Sequence, residues 1–282
     1  MSGQNNLKIN VYSKNMGWLF EDLKASFATQ GAVSSDTPIA GADRWICIRT
    51  SEALTSPDIS RTLVQVHDMA DYDVGFFDKA GLVCFTHELQ RYIWLRKGFK
   101  GRSRVLPIGA RRAVELASIM PVEPTVGYFT GEFSAQFQGK RSHMVVEAIR
   151  IARESLKFEV LMIGRHLGFM AECGTWLDRA ADQSDYKQID LLITCTPSPG
   201  VPLSVYESCS VGIPVVTTPR WFPEPTWPNT WVADDAVGLA NHIVTLLSNR
   251  RQLFQDRQAN YYAPFLFENW VAFQIETAGS LA

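Results

Sequence analysis

Long hydrophobic runs are missing from this 282-residue sequence. No apolar stretch approaches the roughly 18 residues that a membrane-spanning helix requires, and the polar start MSGQNNLKIN has none of the apolar core of a secretory signal. Cysteine is scarce and unpatterned. Cys47, Cys84, Cys173, Cys195 and Cys209 are odd in number, widely spaced and mostly set among apolar neighbours, with no CxxC pair. That excludes a disulfide framework and a zinc knuckle. No GxGxxG follows the first strand candidate, which argues against a nicotinamide-dependent Rossmann enzyme. Nor is one charge in excess: 27 Lys and Arg against 29 Asp and Glu give a net charge of −2, which excludes a globally basic nucleic-acid binder. What is present, 46% hydrophobic and 20% charged residues, suffices to bury a core and excludes disorder along the whole length. The expectation is a soluble, cytoplasmic protein without integral membrane association.

At about 150 residues per domain, the length suggests two domains. Residues 7–13, LKINVYS, read as a short buried strand, followed after a loop by an amphipathic helix through Leu19, Leu23 and Phe27. Further strand candidates are 44–50, 61–68, 81–86 and 103–108, separated by loops and helical stretches. After the proline-bearing stretch MPVEPT at 120–125 a second series begins. It has strands at 126–130, 158–164, 190–195 and 213–218, a helix through Met144, Ala148, Ile151 and Ala152, and another near 203–211. This alternation predicts an α/β fold of two doubly wound domains facing each other, with ligands in the crevice at the carboxyl ends of the strands.

Residues 197–218, PSPGVPLSVYESCSVGIPVVTT, carry the chemistry most directly: a loop after a strand leads into a helix bearing Glu207 and ending at Gly212. At the start of such a helix, backbone amides can meet the phosphates of a nucleotide, while a carboxylate one turn in accepts two hydrogen bonds from a ribose. The bland alternative is an ordinary strand–helix–strand unit with Glu207 on a wet face. Charge is also uneven. Between 91 and 112 there are eight basic residues and no acidic one, either a solvated face or a site for a phosphate-bearing partner. Asp71-Tyr72-Asp73 forms a DxD, a pattern that can hold a divalent cation, but such a short match is common by chance and no metal is expected.

The 197–218 segment resembles the signature of the retaining glycosyltransferases of family 4 (group 1), which have the GT-B fold of two Rossmann-like domains. Glu207 matches the second Glu of that signature, Ser208, Cys209 and Gly212 its small residues, and 213–216 its strand, whereas the first Glu falls at Pro199. The resemblance implies that Glu207 holds the ribose, and that Leu203 and Ser204 present backbone amides and a hydroxyl to the diphosphate. It gives Lys140, with Arg141 beside it, the grip on the diphosphate, although Glu132 stands where the family often has Arg. His67 and Asp68 are similar to the histidine-aspartate strand end that faces the reaction centre, and Gly17 to the glycine turn near the diphosphate. The run 85–110, including Pro107-Ile108-Gly109, resembles the last N-terminal strand, helix and linker, and the end of the chain resembles a closing helix that returns to the first domain.

On this resemblance the domains are 1–118, an unusually short N-terminal acceptor domain, 119–264, a donor domain, and 265–282, the returning helix. The implied activity is transfer of a sugar from a nucleotide-diphosphate donor to a hydroxyl acceptor, with retention and without a metal or other cofactor. The donor's own phosphate takes the acceptor proton, and His67 aligns donor and acceptor. The basic run suggests an anionic acceptor, modified DNA or a phosphorylated saccharide or lipid head group, met by Asp68, Arg96 and Lys97. The alternative is a non-catalytic nucleotide-sugar-binding protein of the same fold, which Pro199 and Glu132 make credible.

Overall fold

The residues INVY at Ile9–Tyr12 are all buried, the mark of a strand covered on both faces. The computed structural model describes residues 7–14, 18–67, 71–106, 120–129, 141–164, 168–179, 181–195, 203–219, 230–256 and 267–281. They divide into two units, 1–109 with 267–282, and 110–266.

In the first unit, β1 (Ile9–Tyr12), β2 (Val33–Ser35), β3 (Arg44–Cys47), β4 (Thr62–Val66), β5 (Leu82–Phe85) and β6 (Ser103–Val105) form a sheet in the order β2-β1-β3-β4-β5-β6. Every pairing is parallel. Alternate side chains serve opposite faces. Tyr12, Cys47, Val64, Val66, Val83 and Phe85 share a core with Trp94 of α3 (Glu88–Arg96) and Phe77 of α2 (Val74–Phe77). Trp94 lies edge-on or tilted to Phe77, Phe85 and Phe99 with centroids 5.0, 5.2 and 5.6 Å away, within the range of favourable aromatic pairing. α1 (Trp18–Thr29) packs against the chain's last helix, α8 (Phe267–Gly279), with Phe27 and Trp270 in edge contact at 5.9 Å. α8 is tied down further by the Arg104 guanidinium stacked 4.2 Å over the Phe273 ring and by Arg44 Nε donating to the Leu281 carbonyl at 2.9 Å.

In the second unit, β7 (Thr125–Phe129), β8 (Glu159–Ile163), β9 (Thr175–Leu177), β10 (Leu191–Thr194), β11 (Val215–Thr217) and β12 (Thr230–Val232) form a sheet in the order β12-β11-β10-β7-β8-β9, again all parallel. Val126, Tyr128, Leu191 and Ile193 face α4 (Ser142–Arg153) and α6 (Ala236–Ser248). Phe129, Leu192 and Val215 face the opposite way, toward Val205 and Cys209 of α5 (Leu203–Ser210). A short α7 (Arg250–Asp256) follows α6. Close approach at the sheet centre requires Gly127: a Cβ there would meet Ile189 Cδ1 at 2.6 Å.

Two sequence-derived strands are shorter than their apolar runs. The strand expected over 44–50 ends at Cys47, where the chain bends into a 3-10 turn at Thr50–Thr55, and that expected over 103–108 ends at Val105. The domain boundary expected at 118/119 lies outside the described residues.

All five cysteines are buried. Burial pushes the thiols of Cys47, Cys84, Cys195 and Cys209 up to about 12 and raises that of Cys173. Since the thiolate is the nucleophile, burial keeps these thiols protonated and unreactive at pH 8. Ellman's reagent should therefore find no fast thiol in the folded protein and all five after guanidinium unfolding; a rapid burst from native protein would contradict this packing.

Candidate functional site

Strand order in the second unit reverses between β7 and β10. The chain leaves β7 for α4 on one face and leaves β10 for α5 on the other. The two departing connections diverge, opening a crevice beyond the carboxyl ends of these strands, the usual ligand position in a doubly wound sheet.

α5 starts at Leu203, and the first turn of any helix leaves backbone N–H groups without intrahelical partners, beside the positive end of the helix dipole. The helix ends in left-handed Gly212, at φ 71°, with the amide of Ile213 returning to the carbonyl of Ser208 at 2.9 Å. Val205 and Cys209 anchor its inner face. Glu207 is one turn in and only 5% exposed. A carboxylate so placed requires polar partners, and Tyr186 Oη donates to its Oε2 at 2.6 Å, the length of a charge-assisted hydrogen bond. Ser204, in the first turn of α5, is half-buried.

From the other side of the reversal comes Arg141. It precedes α4 with φ 43° and ψ 41°, the left-handed region, which costs a non-glycine residue about 1–2 kcal/mol. It is half-buried, and its positive charge acts on the thiol of Cys195, the residue that follows β10. Beside it Tyr128 Oη and Ser142 Oγ share a 2.8 Å hydrogen bond. Thus a guanidinium, the amino end of a helix and a buried carboxylate belong to the elements flanking one reversal. That combination suits a ligand with a diphosphate at one end and a diol at the other. Lys140, Glu132 and Pro199 lie outside the described residues.

In the first unit His67 follows β4 directly and is half-buried; Asp68 and Gly17 lie outside the described residues, as do Pro107, Ile108 and Gly109. Arg96 and Lys97 are not brought together with His67. α3 starts beyond the carboxyl end of β5 and runs back, so these two cations stand toward the amino ends of the strands, close before Arg102, whose carbonyl accepts from the Val83 amide at 2.9 Å. Lys97 pairs with Asp71 and holds that carboxyl below the usual range. Asp73 caps α2, accepting from the Gly75 amide at 3.1 Å, so both carboxylates of the DxD are engaged. Among the described residues no three His, Cys, Asp or Glu side chains stand together as a metal site, and no helix is long and apolar enough to cross a membrane.

The residue that sequence reasoning missed is Tyr186. It stands in a 3-10 turn, Gln183–Gln188, opened by a reciprocal Asp182/Asp185 capping arrangement. The spacing of those two acids before the apolar run DLLITC was the available signal.

No protein-family model matches the chain, and no curated protein is similar to it. Solved structures are similar in fold. A glycosyltransferase from Rickettsia africae ESF-5 matches with a TM-score of 0.74 at 12% identity, covering 98% of this chain and 99% of that one. Sucrose-phosphate synthase from Thermosynechococcus elongatus matches with a TM-score of 0.64 at 14% identity, covering 96% and 98%. A TarM variant from S. aureus, solved with fondaparinux, alpha-GlcNAc-glycerol and UDP, matches with a TM-score of 0.63 at 13% identity; the match covers 84% of this chain and 55% of that one, so the protein spans about half its length. The fold is of the GT-B type, built from two Rossmann-like α/β domains.

Strain at Arg141 leads to a measurable trade. Arg141→Gly removes the left-handed penalty, less the entropy that glycine adds to the unfolded chain, and should stabilise the protein by about 0.5–1 kcal/mol in urea unfolding. The same variant should bind nucleoside diphosphates more weakly, while Arg141→Lys keeps both strain and charge. A destabilised Arg141→Gly would show that the guanidinium contributes more packing than its backbone costs.

Proposed function

We propose that this protein is a glycosyltransferase that moves a sugar from a nucleoside diphosphate to a hydroxyl acceptor. The observation that carries the reading is that Arg141 and the amino end of α5, with its buried Glu207, belong to the two connections that flank one strand reversal. Glu207 receives the ribose hydroxyls. The first-turn amides at Leu203 and Ser204, with the Ser204 hydroxyl, Lys140 and Arg141, take the diphosphate and stabilise the charge that develops on it as the glycosidic bond breaks. The presence of UDP in the TarM structure agrees with such a ligand.

The acceptor belongs to the first unit, where His67 and Asp68 align it with the donor, and Gly17 lets backbone approach the diphosphate. Transfer proceeds with retention and without a metal or cofactor, and the departing phosphate takes the acceptor proton. Alignment and charge stabilisation then supply most of the rate. Pro199, lacking the carboxylate that a Glu would offer to sugar hydroxyls, alters the choice of donor sugar.

A thermal-shift panel of UDP, GDP, ADP, TDP, CDP and their sugar conjugates tests this directly. One nucleotide should raise the midpoint, since a ligand at 100 times its Kd stabilises by about 2.7 kcal/mol. Glu207→Ala should abolish the shift, and slow hydrolysis of the matching sugar conjugate should accompany binding. No shift with any nucleotide would sink the donor assignment, whereas binding without hydrolysis or transfer would favour the second reading, a sugar-nucleotide-binding protein that Pro199 makes credible.

The exposed cations Arg96, Lys97, Lys100, Arg102 and Arg104 favour an anionic acceptor. Arg96 and Lys97 close α3, which starts beyond the carboxyl end of β5 and runs back, away from the strand ends that carry His67. An acceptor that used both would be extended, a nucleic acid or a phosphorylated glycan. Binding of a fluorescent oligonucleotide should then weaken steeply from 50 to 200 mM salt, and the Arg96→Ala/Lys97→Ala double variant should flatten that dependence. A salt-independent signal, or none, removes nucleic acid from the candidates.

A further inference from the structure

Tyr186 is 2% exposed and touches both sides of the strand reversal. Its hydroxyl donates to Glu207 Oε2 at 2.6 Å, while its ring stands edge-on to Phe129, the last residue of β7, with centroids 5.0 Å apart. Tyr186 therefore relates the carboxylate of α5 to the strand from which the diphosphate-side connection departs.

The turn that carries Tyr186 is itself held rigidly. Asp185, fully buried, receives two hydrogen bonds from the Arg179 guanidinium at 2.8 and 2.6 Å and a third from the Asp182 amide at 2.7 Å. Asp182 in turn accepts from the Ser184 amide and hydroxyl at 2.7 and 2.6 Å. Bidentate Arg–carboxylate geometry gives directional as well as energetic control. One residue further on, the ring of Tyr186 has only two side-chain torsions to fix, and it packs edge-on against Phe129 within the apolar cluster on that face of the sheet. A glutamate, by contrast, loses substantial rotamer freedom when it is ordered. Tyr186 meets that cost before any ligand arrives.

We propose that Tyr186 is a positioning residue that sets the plane of the Glu207 carboxylate and thereby determines selection of ribose over deoxyribose. This rests on the reading of Glu207 as the ribose-binding group. A carboxylate has about four acceptor positions. With Oε2 held by the phenol, the directions left to a ligand are restricted, so two neighbouring hydroxyls must arrive along fixed lines. A sugar lacking one of them leaves a buried acceptor poorly satisfied, the situation in which polar sites discriminate most sharply.

The test compares Kd values of wild type and Tyr186→Phe for UDP, GDP, ADP and CDP against their 2′-deoxy and 3′-deoxy forms and against pyrophosphate. Wild type should prefer the ribonucleotide by about tenfold or more. Tyr186→Phe should reduce that preference at least threefold while leaving affinity for the deoxy forms and for pyrophosphate within about twofold. A tyrosine that only fills the core would lower the unfolding midpoint and leave the ribose preference intact, and that result would overturn the proposal. Should Tyr186→Phe fail to fold, Phe129→Leu withdraws the ring against which Tyr186 leans yet keeps the hydroxyl, and the same loss of preference is expected from it. If wild type binds no nucleoside diphosphate, the donor reading fails and the proposal with it. If wild type binds ribo and deoxy forms equally, the donor reading survives and only the role given to Tyr186 is lost.

Discussion

A parallel strand cannot be reached from its neighbour by a hairpin; the chain must cross back over a face of the sheet before pairing again. Among the described residues every strand pairing in both units is parallel, so each connection is a crossover and the inner strands are covered on both faces. This explains why β4, β5 and β10 are wholly buried rather than alternating apolar with polar. It also gathers the carboxyl ends of all strands of a sheet on one edge. The strand order reverses where the crossovers part company, between β7 and β10 in the second unit and between β1 and β3 in the first, the usual ligand position in sheets of this kind.

Within that framework, two kinds of unfavourable energy are concentrated at the β7–β10 reversal. One is a carboxylate taken out of water, offset by a phenol at hydrogen-bonding distance. The other is a left-handed arginine, held there by α4 on one side and the sheet on the other. Neither feature is needed to build a Rossmann-like unit. The structural requirements are already met by the apolar clusters on the two faces of the sheet.

The sequence made the central strands legible because burial on both faces writes them as uninterrupted apolar runs, such as DLLITC at 190–195 and FEVLMIG at 158–164. The outer strands were not legible. β2, β9 and β12 are three residues each, lie at sheet edges and are mostly half-buried or exposed, so they carry neither an apolar run nor alternation. Glu207 and Arg141 were legible as candidates because their segments resemble a family pattern and each adjoins a readable helix start. Tyr186 was not, because the Asp182/Asp185 spacing marks its turn, whereas only the fold brings its hydroxyl to a partner 21 positions along the chain. The placement of Arg96 and Lys97 was invisible for another reason: a count of charges says how many cations a segment carries, and only the direction of α3 says at which end of the sheet they stand.

The first unit is assembled from the two ends of the chain, with α8 laid against α1, β1 and β3, whereas the second unit is one uninterrupted stretch. During synthesis, the polypeptide for residues 110–266 has been made in full while the partner of Phe27 and the acceptor of the Arg44 hydrogen bond are still to come. The order usual for two-domain proteins, in which the amino-terminal domain is finished first, is therefore inverted. The face of α1 that carries Phe27 and the buried strands beside it are therefore made more than a hundred residues before the helix that covers them.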